Sequence, residues 1–123
     1  MTAYQSRMGY AQADGPVRTP RSIEYDLLAR CTQALSIAWI KRKSDFPALA
    51  KALRENLQLW AALAADVAEP DNGLPKDLRA KLFYLYEFTS EHSRAVLEGR
   101  ATVEVLVDIN TAVMKGLRGG GAA

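Results

Sequence analysis

The chain has 123 residues, 49% apolar and 24% charged, which suits one soluble domain with a modest single core. Its formal net charge of +2 comes from the first 21 residues, where Arg7, Arg18 and Arg21 oppose Asp14; the rest carries equal numbers of basic and acidic side chains. A neutral body disfavours a phosphate-binding surface. One cysteine (Cys31) and one histidine (His92) are too few for an internal disulfide or a Cys/His zinc centre, no apolar run reaches the roughly 18–20 residues of a membrane span, and no apolar leader is present. The expected address is the cytoplasm, with no membrane insertion and no cofactor.

Residues 1–18 show no clear period and contain Gly9 and the Gly15-Pro16 breaker, so they read as a flexible N-terminal arm. Thr19 offers an N-cap hydroxyl and Pro20 a first helical position, and Ile23, Leu27, Cys31, Ala34 and Ala38 recur at helical spacing. The first helix is therefore expected over roughly 20–40. Lys41, Arg42 and Lys43 follow it, suited to the negative end of the helix dipole or, alternatively, to a phosphate.

Asp45 caps the second helix, whose stripe is Leu49, Leu53, Trp60, Leu63 and Val67, with Asn56 lying on that apolar stripe. Pro70, Asn72 and Gly73 stop it, the Asn-Gly pair being suited to positive φ. Pro75 opens the third helix, with a stripe of Leu78, Leu82, Leu85, His92 and Val96 and with Gly99 as a left-handed C-terminal cap. Phe83, Tyr84 and Phe88 extend its apolar surface well beyond one stripe. Such a helix is either central in the fold or holds a second face for a partner. Thr102 caps the fourth helix, which carries Leu106, Ile109, Val113 and Leu117, with Asn110 beside them. The organisation is thus an arm (1–18), a helical domain (19–118) and a Gly-rich tail (119–123) left unordered. The fold class is all-α, a single-domain antiparallel bundle of about four helices.

Asn56 and Asn110 on apolar stripes must find partners, either each other or backbone at a helix end, because an orphaned buried amide costs about 1–3 kcal/mol. A ligand-binding role is the alternative. His92 reads as a core or boundary residue with one ring nitrogen bonded, and Cys31 as a small buried hydrophobe. Glu91 and Ser93 flank His92, but adjacent helical positions point in different directions, so no catalytic residue is assigned and the chain is not expected to be an enzyme. An orphan hydrolase would need a cleft gathering His92 with a carboxylate and a hydroxyl.

Several blocks, in order, resemble the FlaF family: Tyr4; Thr19-Pro20-Arg21 with Glu24; Ala52, Leu53, Asn56, Leu59 and Trp60; Pro70, Asn72, Leu74, Pro75, Leu78, Arg79 and Ala80; Asp108-Ile109-Asn110; and Met114-Lys115-Gly116-Leu117. The resemblance implies a positive regulator of flagellin synthesis that binds flagellin as a chaperone-like factor for its translation and secretion. It also implies an opposing companion, FlbT, which is a further candidate partner. An RNA-binding regulator acting on flagellin message is the alternative, though the neutral body disfavours it. The expected partner-binding residues are Phe83, Tyr84 and Phe88, with Tyr4, Tyr10, Arg18 and Arg21 of the arm and first turn covering or extending them. Asn56, Trp60, Pro70, Asn72, Pro75, Arg79 and Asn110 are expected to serve the architecture.

Overall fold

A computed structural model describes the backbone of residues 20–122 and the side chains of residues 24–117. Four helices account for the described chain: α1 (Pro20–Ile40), α2 (Phe46–Ala68), α3 (Lys76–Leu97) and α4 (Glu104–Ala122), with no strand among the described residues. The expected arm, including Tyr4, Tyr10 and Arg18, lies outside them. Arg21 belongs to the first turn of α1, but its side chain lies outside the described set.

Short connections make each helix antiparallel to the one before it. α1 packs closely beside α2 and α4, and α2 packs closely beside α3. α3 and α4 meet only narrowly, and the two diagonals, α1–α3 and α2–α4, have no close backbone approach. The core lies between α1, α2 and the ends of α3 and α4, with Leu35, Leu49, Leu53, Val96 and Leu106 at its centre. The bundle is therefore closed along three seams and slack along the fourth.

Local chemistry sets the helix ends. Asp45 Oδ1 accepts the Ala48 N–H at 3.2 Å, the expected N-cap of α2. At the far end of α2, Asn72 donates from Nδ2 to the Asp66 carbonyl (3.1 Å) and accepts the Leu74 N–H at Oδ1 (2.9 Å). Arg79, from the first turn of α3, donates to the carbonyls of Val67 (2.9 Å) and Glu69 (3.0 Å). These bonds satisfy carbonyls that the helix end leaves without an intrahelical partner. Pro75 is the residue before α3 and contributes no side-chain cap.

At the end of α3 the Gly99 N–H reaches the Val96 carbonyl (3.0 Å) and the Arg100 N–H reaches that of Ala95 (2.8 Å). This is the paired bonding of a Schellman end, and it requires the left-handed φ of 77° at Gly99. Gly73, by contrast, does not adopt positive φ: the Asn72 side chain, rather than a left-handed glycine, makes that stop. Thr102 stands one residue earlier than a formal cap. Its hydroxyl accepts the Glu104 N–H at 3.3 Å, while Val103 supplies the first carbonyl of α4 to Val107.

Two further expectations change. α4 runs to Ala122, through the glycines of the tail, because extending a formed helix needs no new nucleus. The buried side of α3 is Thr89, Ser93 and Val96 rather than a stripe starting at Leu78, which is 41% exposed. α3 is accordingly not the central helix of the bundle.

Candidate functional site

Three of the expected architectural residues, Asn56, Trp60 and Asn110, converge on one layer. Asn110 crosses the α2–α4 diagonal: its Nδ2 donates to Asn56 Oδ1 at 2.8 Å, and its Oδ1 accepts the Trp60 indole N–H at 2.9 Å. All three side chains are essentially fully buried. The amides bond each other, one of the two options open in the sequence. The part of Trp60 in the chain was not legible there, since indole patterns as plain hydrophobe. Asn56 Nδ2, Thr89 Oγ1 and Ser93 Oγ are buried without a hydrogen-bond partner among the described residues. This layer is structural, because it is sealed from any ligand.

Surface chemistry concentrates on α3. At 100° per residue, with Thr89, Ser93 and Val96 fixing the inward direction, the aromatic residues divide between two flanks. Tyr84, Phe88 and His92, each four residues apart, form a row on one flank. Phe83, with Tyr86 and Leu97, lies on the other. Tyr84 is 62% exposed and Phe83 39%. The Phe83 ring meets Tyr86 edge to face, with centroids 5.9 Å apart. Phe88 is half-buried and stacks on His92 at 5.4 Å. The three expected aromatic contacts are thus not one patch: Tyr84 and Phe88 belong together, and Phe83 stands about 100° and 140° round the helix from them.

The His92 flank is the one that faces α4. His92 Nε2 lies 2.8 Å from the Thr102 carbonyl, just ahead of α4. A carbonyl only accepts, so Nε2 carries the proton and His92 is a tied boundary residue, as expected. On α4, Val107 packs against the core cluster that includes Leu35 and Ala38 of α1. Val105 and Ile109 project from the opposite flank, toward α3, and are half-buried. The slack α3–α4 seam is therefore flanked by Phe88 and His92 on α3 and by Val105 and Ile109 on α4, with Tyr84 continuing the α3 row outward toward the exposed face. These walls are mostly apolar, with the Tyr84 hydroxyl and the tied His92 ring as their polar groups, and suit an apolar side of a helix.

No group of three or more His, Cys, Asp or Glu residues suited to a metal occurs among the described residues, and none of their helices is long and apolar enough to cross a membrane. Cys31 lines a groove of about 450 Å³ between α1 and α2 with Leu27, Arg30, Glu55 and Leu59. Burial first, and then the Glu55 carboxylate, hold its thiol above the ordinary value, with Arg30 acting the other way. A thiol held neutral is a poor nucleophile. It is half-buried rather than the buried hydrophobe expected.

The fold and site define an all-α four-helix protein whose distinctive surface is an apolar interhelical seam. The family model described as flagellar protein FlaF matches residues 6–117, and the chain belongs to the FlaF family. It is in that sense a flagellar protein. No curated protein and no solved structure matches it.

Proposed function

We propose that this chain binds flagellin in the cytoplasm and promotes its synthesis, translation and secretion as a chaperone-like, non-enzymatic adaptor. The observation that carries the reading is the narrow meeting of α3 and α4 beside an exposed Tyr84, with half-buried Phe88, Val105 and Ile109 along the same seam. An amphipathic helix of flagellin, held unassembled before export, would lay its apolar side there. Membership of the FlaF family supports flagellin as the ligand. A FlbT-like regulator is a second partner compatible with the same reading.

Direct action on flagellin mRNA is the alternative. Arg21 lies in the first turn of α1 and Lys41–Lys43 follow its last residue, so about 30 Å of helix separates them. They do not join into one compact basic patch, which disfavours that alternative.

The test is titration of purified flagellin into Tyr84→Ser, with Phe83→Ser as the comparison on the other flank. Both variants should keep wild-type helicity, and Tyr84→Ser should weaken flagellin binding at least ten-fold while Phe83→Ser changes it little. Undiminished affinity in a folded Tyr84→Ser protein would remove the seam as the binding site.

A further inference from the structure

The opposite end of α3 carries a second surface with a different chemistry. About 20 Å along the helix from Tyr84, at 1.5 Å per residue, the α1–α2 and α3–α4 turns enclose a hollow of about 410 Å³. Its apolar lining includes Leu49 and Val96 from the core and Phe46 and Leu97 at its rim, the last two 46% and 42% exposed. Ile40, on the last turn of α1, is 80% exposed.

Arg42 stands at this hollow already held in place. Its guanidinium lies 3.9 Å over the Trp39 ring, and its Nη1 donates to the Trp39 carbonyl at 2.9 Å. That bond fulfils the expected role of a cation at the α1 C-terminus and leaves most of the arginine's N–H donors unspent. Arg100 also lines the hollow but is paired with Glu98. Asp45, three residues after Arg42, accepts the Ala48 N–H at the start of α2. Among the described residues no carboxylate lies within ion-pair distance of Lys41, Arg42 or Lys43. The rim is therefore apolar at Phe46 and Leu97, with the Arg42 cation held beside it and free of a carboxylate partner among the described residues.

We infer that this hollow is a docking site for a segment of a partner protein that presents a large apolar side chain within one helical turn of a carboxylate. The apolar side chain enters between Phe46 and Leu97, and the carboxylate meets the Arg42 guanidinium, whose pre-set position lowers the entropy cost of the pair. The site is separate from the α3–α4 seam and independent of the flagellin reading. A chain with both surfaces holds two proteins at once.

The experiment pans a random 12-residue phage-displayed library on the full chain and on its Tyr84→Ser variant. The same family of peptides, with Asp or Glu within one turn of Leu, Ile, Phe or Trp, should emerge from both. A synthetic peptide of the selected sequence should lose at least ten-fold in affinity on Arg42→Gln, on Leu97→Ser and on replacing its own acid by Gln, and should bind more weakly as salt rises. The peptide substitution gives the same test without altering the protein, should either variant fail to fold. Selection of no acidic-apolar family, affinity indifferent to the peptide's acid, loss of selection on Tyr84→Ser, or RNA displacing the peptide from the hollow would each overturn the proposal.

Discussion

Asn110 is the residue on which the interior turns, because it serves Trp60 and Asn56 at once. Replacing it with Leu orphans the buried indole N–H and leaves Asn56 with no bond. Replacing Asn56 with Leu orphans only Asn110 Nδ2. At about 1–3 kcal/mol per orphaned buried group, Asn110→Leu should cost about 2–6 kcal/mol and Asn56→Leu about 1–3. The double Leu variant should fall short of the sum, since the amide pair is removed together and only the indole stays unpaired. Urea unfolding of the three proteins decides it, and strict additivity would contradict the bonded chain. Other residues were legible for the same local reasons. Asp45 and Gly99 act within one turn of their own position, so a sequence shows their roles directly. Arg79 does not: its carbonyl partners on α2 lie ten and twelve residues away, and nothing in the spacing names them.

Among the elements, α2 follows its sequence pattern closely, while α1 and α3 depart from theirs. α1 buries Leu28, Leu35 and Ala38, so of its expected stripe Ala38 is buried and Leu27, Cys31 and Ala34 are only half-buried. A periodic stripe gives relative orientation, and the true inward direction depends on which neighbours approach. Thr89 and Ser93, which are not part of the expected stripe, form the buried side of α3 with Val96, and Leu78 at the head of that stripe is exposed. The surplus apolar surface of α3 was visible in the sequence. Its division into a Tyr84–Phe88 row and a separate Phe83–Tyr86 pair, and the slackness of the seam beside the first, depend on where α4 sits. The ends of α3 give a prediction at this scale. Gly99 holds a φ of 77° with nothing within 4 Å of an added Cβ, so Gly99→Ala should cost about 1–2 kcal/mol through backbone strain alone. A thermal melt that matches wild type would contradict the left-handed end assigned to this helix.

For the whole molecule, the described residues form three packed seams and one slack seam, and the slack one is where the proposed partner helix would lie. The aromatic and aliphatic lips of that opening favour a protein ligand over a polyanion, and the charge of the chain agrees, being balanced beyond residue 21. The two candidate surfaces differ in what should drive them: apolar burial at the α3–α4 seam, and a carboxylate–arginine contact at the Arg42 hollow. Ionic strength separates such mechanisms cleanly, because apolar burial barely responds to it while phosphate contacts weaken steeply as counterion release loses its value. The most direct measurement is calorimetric titration of the full chain with monomeric flagellin and, separately, with flagellin mRNA leader, at low and moderate salt. Flagellin binding should change less than about three-fold over that range, with RNA binding absent or far weaker. Tight RNA binding that collapses with salt, with no heat from flagellin, would contradict the proposed function.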